Sequence, residues 1–448
     1  MEKITITGKY TKADMFATTV EDGVYQQVYD IINNPAFRGK RVALMPDVHV
    51  GKSGPCGLVA EIGDWVCPEH IGVDIGCSVT MMFLNGFIPS EKFVEFEHKV
   101  KQAIPMGFTI HDKTIVDQKD FMQYLSKQFA KARAQWPEVM LPELLPENVT
   151  EKWLTKKLNT IGMDLGTFWK SLGTVGGGNH FIEYGESDRC GAVTIHFGSR
   201  NFGVKVCQHW MKKTTNPMTK DEARKISDEF KKEWMKTHKN MDGFNDALKA
   251  RLTEERGNFI QGYLTGDDMK GYLCDMVLAQ AYARYNHHTV IKIISEILQK
   301  MHLPKIEFWH TCTHNYIDMD DHYIRKSSIS AHKGEYVIVP LNMRDGTIFG
   351  RGLGNEEWMN SCSHGAGRKM SRSKAKENVT LEEFEKSMEG IVSTSVNKYT
   401  IDESPMAYKD SNEIVEMIKN TIEIDEIFIP KISWKAAEMT RKDQESDK

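Results

Sequence analysis

The sequence lacks the features that direct a chain to a membrane or to secretion. Its 448 residues contain no apolar run of about 18 positions, and the N-terminal MEKITITGKY has no basic segment followed by an apolar stretch. We therefore expect no membrane span and a cytoplasmic location. The formal net charge is only -4, so any nucleic-acid surface must be a local basic patch on a mildly acidic body.

The sequence also lacks closely spaced cysteines. The eight cysteines contain no CxxC pair, which argues against a disulfide framework and against a zinc ribbon. A cysteine with a chemical role is therefore expected to act singly, either as one metal ligand or as a nucleophile.

The hydrophobic pattern predicts a mixture of strands and helices. Short apolar runs between Gly, Pro and Asp predict strands at 42–45, 57–62, 78–84, 305–310, 335–340 and 347–352, with a glycine-rich strand-like block at 173–203. Apolar residues at three-to-four spacing predict helices at 91–104, 219–255, 267–300, 381–388 and 412–422. Length allows one or two domains. We predict one α+β body over 1–448, with central sheets, outer helices and a charged helical region at about 205–300.

Four glycine-adjacent clusters carry side chains of the kinds that bind metal ions. They are 72–77 (GVDIGC), 176–183 (GGGNHFIE), 195–200 (IHFGSR) and 310–316 (HTCTHNY). Each cluster alone is better explained by a turn aspartate, a buried cysteine or a core histidine. Four of them in one chain favour a metal cleft that is lined by strand-end loops and offers O, N and S ligands. Spacing does not identify the metal.

A fifth cluster, 361–368 (SCSHGAGR), is different in kind. Its glycines allow an anion-binding nest of N–H groups beside His364, which could then act as a nucleophile. The following segment 368–376 holds five positive residues and no acid. If it is helical, Arg368, Arg372 and Lys376 form one basic stripe suited to phosphates; a solvated helix face is the alternative.

Taken together, the motifs resemble the RtcB family of RNA ligases. The matching segments run in family order from MPDVHVG (45–51) through GVDIGC, GGGNHFIE, IHFGSR, HNY, RGLGNE, SCSHGAGR and MSRSKAK to MAYKD, and they span about 40–435. The resemblance implies an RtcB-like catalytic domain. It also implies GTP- and Mn²⁺-dependent joining of RNA 2',3'-cyclic phosphate or 3'-phosphate ends to 5'-hydroxyl ends, in tRNA splicing or RNA repair. An archease-type activator is a further partner known in the family.

The resemblance also implies the roles of particular residues. Two Mn²⁺ ions would share Cys77: Asp74 and His180 would complete one site, and His196 and His314 the other. His364 would attack the α-phosphate of GTP and carry GMP. The positions that match the nucleotide pocket are Asn179, Phe181, Glu183, Asn342, Thr347, Ala366, Gly367, Tyr408 and Lys435. Arg200 matches an RNA-phosphate contact, and Arg368 and Arg372 are expected to neutralise further RNA phosphates.

The sequence departs from the family pattern at two places in the nucleotide pocket. The segment 340–344 reads PLNMR where many members have PGSMG, so Asn342 and Thr347 would replace serines that contact guanine or its ribose. This leaves the preference for GTP open. Lys435 matches a lysine that ends many family chains, whereas thirteen residues follow it here.

Two other functions fit part of this pattern. A metal-dependent phosphoesterase that only processes RNA ends could have the same metal ligands, but it would not need His364 with its glycines or the basic segment. An inactive protein that binds RNA ends is the second alternative, although every ligand position is filled. A protein–GMP adduct distinguishes the ligase from both.

Overall fold

The computed structural model describes residues 3–52, 54–214, 220–238, 240–255 and 262–436. Its strands are β1 (Ile4–Thr7), β2 (Lys12–Met15), β3 (Val42–His49), β4 (Cys56–Glu61), β5 (Trp65–Val66), β6 (Ser78–Leu84), β7 (Phe181–Glu186), β8 (Gly191–Phe197), β9 (Leu264–Thr265), β10 (Ile306–Thr313), β11 (Tyr316–Ile317), β12 (Tyr323–Lys326), β13 (Ser328–Ser330), β14 (Tyr336–Asn342), β15 (Gly346–Gly352), β16 (Ser361–Ser363) and β17 (Ile422–Lys435). Its helices are α1 (Asp22–Ile32), α2 (Phe93–Ala103), α3 (Gln118–Gln135), α4 (Glu151–Ile161), α5 (Leu165–Lys170), α6 (Arg200–Met211), α7 (Lys220–Thr237), α8 (Phe244–Glu255), α9 (Gly266–Lys300), α10 (Arg372–Asn378), α11 (Leu381–Ser387) and α12 (Ser411–Ile418). The predicted α+β class is confirmed.

A seven-stranded antiparallel sheet forms the centre of the fold. Its strand order is β10-β6-β8-β7-β17-β15-β14. The sheet curls, because the terminal strands β10 and β14 meet: the Phe308 and Tyr336 rings lie 5.7 Å apart, and Cys312 Sγ lies 3.5 Å from the Tyr336 carbonyl oxygen. Every residue of β8 is buried, so this strand reads as a continuous apolar run rather than as an alternating one.

A second sheet lies beside the first and carries one wall of the site. Its six strands are ordered β1-β2-β3-β4-β12-β11, with β2 and β3 parallel. The small β13–β16 ladder pairs Ser328 with Ser363, and β16 contacts β3. This contact brings the segment after β16 against the end of β3.

Helix α9 joins the two main parts of the core. Its first half packs in a hydrophobic cluster with α3, α4 and α6, and its second half packs against β6, β7 and β8. The middle of the helix is buried on all sides, as expected for a helix inside a large protein. No helix among the described residues is both long and apolar enough to cross a membrane.

Side-chain caps explain where several outer helices begin. Asp117 accepts hydrogen bonds from the first N–H groups of α3, and Thr150 does so for α4 at 3.2 Å from the Trp153 nitrogen. Thr380 and Glu383 form a reciprocal capping box at α11.

The predicted elements are largely found, with three corrections. The region 219–255, predicted as one helix, forms two helices, α7 and α8. Helix α12 ends at Ile418, and Ile422 begins β17, so the predicted helix over 412–422 was too long. Helix α10 begins only at Arg372. Arg368 lies before it in a bridge to Tyr408, so Arg368 does not share a helical stripe with Arg372 and Lys376.

Candidate metal and nucleotide site

The register of the central sheet brings four of the sequence clusters to one edge. Ser78 at the start of β6 pairs with Phe197 on β8 and with Thr313 on β10, and Phe181 at the start of β7 pairs with His196. The residues just before β6, just before β7, near the end of β8 and just after β10 are therefore neighbours. They include Cys77, His180, His196 and His314.

The predicted metal ligands lie within contact distance of one another. Cys77 Sγ is 3.5 Å from His180 Nε2 and 3.3 Å from His196 Nε2. His180 Nε2 is 2.9 Å from Asp74 Oδ2, and His196 Nε2 is 3.1 Å from His314 Nε2. Five side chains from four separate segments thus point their donor atoms at a common space.

The donor set fits two divalent ions that share one thiolate. Asp74, Cys77 and His180 form one group, Cys77, His196 and His314 form another, and the ligand atoms of each group lie within 4.8 Å of one another. A carboxylate, a thiolate and three imidazoles form a mixed O, S and N ligand set, which can hold divalent ions such as manganese or zinc. The two groups have the membership that was predicted for the two ions.

Burial keeps the imidazoles of His196 and His314 neutral. Burial, followed by the neighbouring histidines, holds the pKa of His196 and of His314 well below the usual value. A neutral imidazole has a lone pair to give to a cation. Burial and the Asp74 charge raise the pKa of the Cys77 thiol well above its usual value, so a bound cation must displace the thiol proton.

Glycine is required where the cluster is tightest. A Cβ atom on Gly198 would lie 2.3 Å from Asp74 Oδ1, so a larger residue there would push the carboxylate out of place. Gly76 has φ +71° and lies against the Gln280 backbone, where a Cβ would come within 2.9 Å of Cα. This glycine lets the chain turn between Asp74 and Cys77.

His364 lies beside the cluster and is held by a buried carboxylate. Its ring centroid is 4.7 Å from that of His314. Asp47 is fully buried, and its Oδ2 lies 2.7 Å from His364 Nδ1 and 3.2 Å from the His364 backbone nitrogen. Because a carboxylate accepts hydrogen bonds, the neutral form of this imidazole carries its proton on Nδ1 and leaves the Nε2 lone pair free.

The residues predicted to bind nucleotide all line one cavity of about 770 Å³, a size typical of ligand pockets. They are Asn179, Phe181, Glu183, Asn342, Thr347, Ala366, Gly367, Tyr408 and Lys435. His196 and His364 line the same cavity, which therefore opens onto the metal-ligand cluster. The structure brings these residues together; their roles stay predictions.

Two carboxylates, Asp402 and Glu403, hold the cations at this cavity. Arg372 Nη1 lies 2.6 Å from Asp402 Oδ2 and 2.7 Å from Glu403 Oε1. Arg368 and Lys435 reach Glu403 at 3.3 and 2.8 Å. Burial works against the charge of Glu403, but Lys435, Arg372 and Arg368 outweigh it and hold the pKa of Glu403 well below its usual value. Arg368 and Arg372, which were predicted to bind RNA phosphates, therefore form ion pairs within the protein.

Asn342 is engaged on both sides of its amide. Its Oδ1 accepts from the backbone nitrogens of Arg344 and Asp345, each at 3.0 Å. Its Nδ2 donates to Asp345 Oδ2 at 2.8 Å and lies 3.2 Å from Ser411 Oγ. Asn342 thus stabilises the turn between β14 and β15 at the rim of the cavity.

Arg200 is not among the residues that line the nucleotide cavity. It has φ +57° at the start of α6. Its Nε donates to Thr174 Oγ1 at 2.9 Å and its Nη2 to the Gly107 carbonyl at 2.7 Å. The predicted RNA contact of Arg200 stays a prediction.

Sequence reasoning missed three residues of the site. Asp47 was present in the quoted MPDVHVG segment, but nothing local indicated that it contacts a histidine 317 positions away. Asp402 and Glu403 precede the quoted MAYKD segment. Two adjacent acids near a run of five cations were the available signal for an internal ion-pair network.

Comparison with known proteins identifies the family. Residues 27–429 match the family model described as tRNA-splicing ligase RtcB. The chain is 30% identical over 424 residues to the RNA-splicing ligase RtcB of Escherichia coli K12, an alignment that covers 90% of this chain and 92% of the relative. It is 23% identical over 456 residues to the tRNA-splicing ligase RtcB of Archaeoglobus fulgidus, with 89% and 88% covered. The chain belongs to the RtcB family.

Proposed function

We propose that this protein is an RNA ligase that joins a 3'-phosphate or 2',3'-cyclic phosphate end to a 5'-hydroxyl end, using GTP and Mn²⁺. One observation carries the proposal: the two ligand groups that share Cys77 lie next to the His364–Asp47 pair at one end of a 770 Å³ cavity. Family membership supports the ligase reaction. Dependence on an archease-type activator stays a prediction.

In the first step His364 takes GMP from GTP. Nε2 attacks the α-phosphorus, the bond to the β-phosphate oxygen breaks, and pyrophosphate leaves. Asp47 holds the Nδ1 proton and stabilises the positive charge that the ring gains. Bound Mn²⁺ would polarise phosphoryl oxygens and offset the charge that develops on them.

In the following steps the RNA replaces the histidine and then loses GMP. Water first opens a cyclic phosphate to a 3'-phosphate. An oxygen of that 3'-phosphate attacks the phosphorus held by His364, so the P–N bond breaks and the RNA carries GMP at its 3' end. The 5'-hydroxyl then attacks the RNA 3'-phosphorus and GMP departs, which leaves a phosphodiester.

A phosphoesterase explains the His364–Asp47 pair less well than a ligase does. Hydrolysis at a metal centre needs no side-chain nucleophile whose proton is fixed on Nδ1 by a buried carboxylate. The deciding experiment is incubation with α-labelled GTP and Mn²⁺, followed by a 3'-phosphate/5'-hydroxyl RNA pair. We expect a protein–GMP adduct that is stable to base and lost in acid, and whose label leaves when the RNA is joined.

Asp47→Asn tests the carboxylate that fixes the ring of His364. An asparagine amide can turn its N–H₂ group to Nδ1, which favours the wrong tautomer. We expect guanylylation in a single turnover to slow by about 100-fold or more, with Mn²⁺ content and GTP affinity unchanged. A loss of metal or of melting temperature in parallel with the rate would instead indicate a structural role.

Glu183→Gln tests how the cavity recognises the base. Burial raises the pKa of Glu183 to about 8, so its carboxyl is largely protonated at pH 7. Guanine offers N1–H and N2–H donors, which an ionised carboxylate accepts best. We expect GTP affinity, measured without metal, to increase as pH rises from 7 to 9 and to become nearly independent of pH in Glu183→Gln.

The control is Glu186→Gln, three residues further along the same strand, where the carboxylate accepts from Tyr184 at 2.9 Å. This variant should keep the pH dependence of the wild type. A wild-type affinity that does not change across this range would remove Glu183 from the base contact.

A further inference from the structure

The loop between α2 and α3 displays an aromatic ring to solvent. The Phe108 side chain is 85% exposed, the highest value among the large apolar residues that the structure describes. A single exposed phenylalanine is common on protein surfaces. What distinguishes Phe108 is how firmly its backbone is held and what holds it.

The backbone on both sides of Phe108 is tied to the segment that leads into the metal-ligand cluster. Met106 forms a bridge with Val175, and the Gly107 nitrogen lies 3.4 Å from the Gly176 carbonyl oxygen. Gly107 has φ +69°, which sets the turn that projects Phe108 outward. The ring is therefore presented by an anchored loop.

The same loop is joined to Arg200 and, through Gly176, to a metal-ligand histidine. Arg200 Nη2 donates to the Gly107 carbonyl at 2.7 Å. A Cβ atom on Gly176 would lie 2.2 Å from His180 Nδ1 and 3.0 Å from Arg200 Nη1, so the imidazole and the guanidinium pack on one glycine. Phe108, Arg200 and His180 thus belong to one local unit at the rim of the cluster.

In this unit, the Nη1 group of Arg200 is available to donate hydrogen bonds to a ligand. The Arg200 Nε and Nη2 atoms bond to Thr174, Gly107 and Thr109, whereas Nη1 has no hydrogen-bond acceptor among the residues that the structure describes. Nη1 lies on the side of Gly176 that faces His180. An anionic group near the metal-ligand cluster can therefore be reached by this guanidinium.

A free cation donor beside an exposed aromatic ring is the combination that binds single-stranded nucleic acid. Phosphates take the cation, and a base stacks on the ring whatever its identity, because every base has a π-face. Unpaired RNA ends are recognised largely by such stacking. An RNA end whose phosphate lies at the metal-ligand cluster has its last bases within a nucleotide's length of that phosphate.

We propose that Phe108 is a stacking platform for a base near the reacting end of the RNA. The inference rests on the proposed ligase function and adds a substrate-binding residue to it. Phe108 holds the strand through a base while Arg200 contacts a phosphate. The contact does not depend on base identity, so it suits a ligase that must accept different ends.

The test compares Phe108→Ala and Phe108→Trp with wild type. Binding of a fluorescent single-stranded RNA that ends in a 3'-phosphate is measured with Mn²⁺ and without GTP, so that no reaction occurs. We expect the alanine variant to bind about tenfold more weakly and the tryptophan variant to bind at least as tightly as wild type. Phe87→Ala, which removes a 44% exposed ring at the far end of β6, should bind normally.

An RNA that lacks its two 3'-terminal bases provides the second comparison. Wild type and Phe108→Ala should bind this abasic RNA equally, because no base remains to stack. Equal binding of the intact RNA by both proteins overturns the proposal, as it would if the ring served a protein partner. A tenfold loss that persists with the abasic RNA overturns it too.

Labelling with GMP is followed in the same preparations to separate the two proposals. Phe108→Ala should label at the wild-type rate, since the residue lies outside the nucleotide cavity. A wild type that binds RNA but takes no label contradicts the ligase function, while the RNA comparison still decides the stacking contact.

Discussion

His364→Ala is expected to abolish both GMP labelling and RNA joining. The Nε2 atom of His364 faces the cavity, and the Asp47 carboxylate on the other side of the ring can stabilise the charge of the product. Without this nucleophile the protein–GMP adduct cannot form, so we expect labelling to fall by at least about 1,000-fold. The measurement is transfer of label from α-labelled GTP in a single turnover.

The control for this variant is another histidine that the sequence places near the site. His310 lies three residues before Thr313 on β10, and its ring centroid is 5.5 Å from that of Tyr336. It belongs to neither ligand group. His310→Ala should label normally. His364→Ala should keep its metal content and its circular dichroism spectrum. Labelling of His364→Ala at the wild-type level would show that the nucleophile is a different residue.

Cys77→Ser is expected to weaken the binding of both metal ions together. Its Sγ belongs to both ligand groups, whereas His180 belongs to one group and His196 to the other. A serine hydroxyl stays protonated and uncharged, so it is a far poorer ligand for a divalent cation than a thiolate. We expect the apparent Kd of each ion to rise by about tenfold or more, as measured by titration of the metal-free protein with Mn²⁺.

Two further variants make this test specific. His180→Ala should weaken one ion and leave the other close to its wild-type affinity. Cys190→Ser, which alters a half-buried cysteine outside the cluster, should bind both ions normally. Full occupancy in Cys77→Ser, or loss of the same single ion in Cys77→Ser and His180→Ala, would remove the shared thiolate from the site.

The strands and helices around the site were predictable because they depend on local patterns. The apolar runs that became β3, β4 and β6 and the amphipathic stretches that became α2 and α9 are visible in short windows of sequence. Helix ends were less certain, since the same residues after Ile418 can continue a helix or turn into β17.

Local sequence patterns could not predict that the metal-ligand residues lie together in the fold. It depends on which strands pair and in which register, for example on Ser78 lying opposite both Phe197 and Thr313. The membership of the two ligand groups was predicted from the family resemblance alone. The residues that resemblance did not supply, Asp47 and Glu403, act on partners far away in the chain.

The basic segment shows the limit of counting charges. Five cations between 368 and 376 suggested a surface for phosphates, but Arg368 and Arg372 reach two acids some thirty positions later. Composition cannot tell whether a cation faces solvent or an internal carboxylate. Only the tertiary fold decides how much positive charge is left for RNA.

The spread of the site along the chain has a consequence for biosynthesis. Asp47 lies on an early strand, and Lys435 is the last residue of β17, which must pair with β7 to reach Glu403. A nascent polypeptide on the ribosome therefore carries metal-binding groups long before it carries a finished nucleotide pocket. Acquisition of the GMP label would consequently report that synthesis has passed β17 and that this strand has docked.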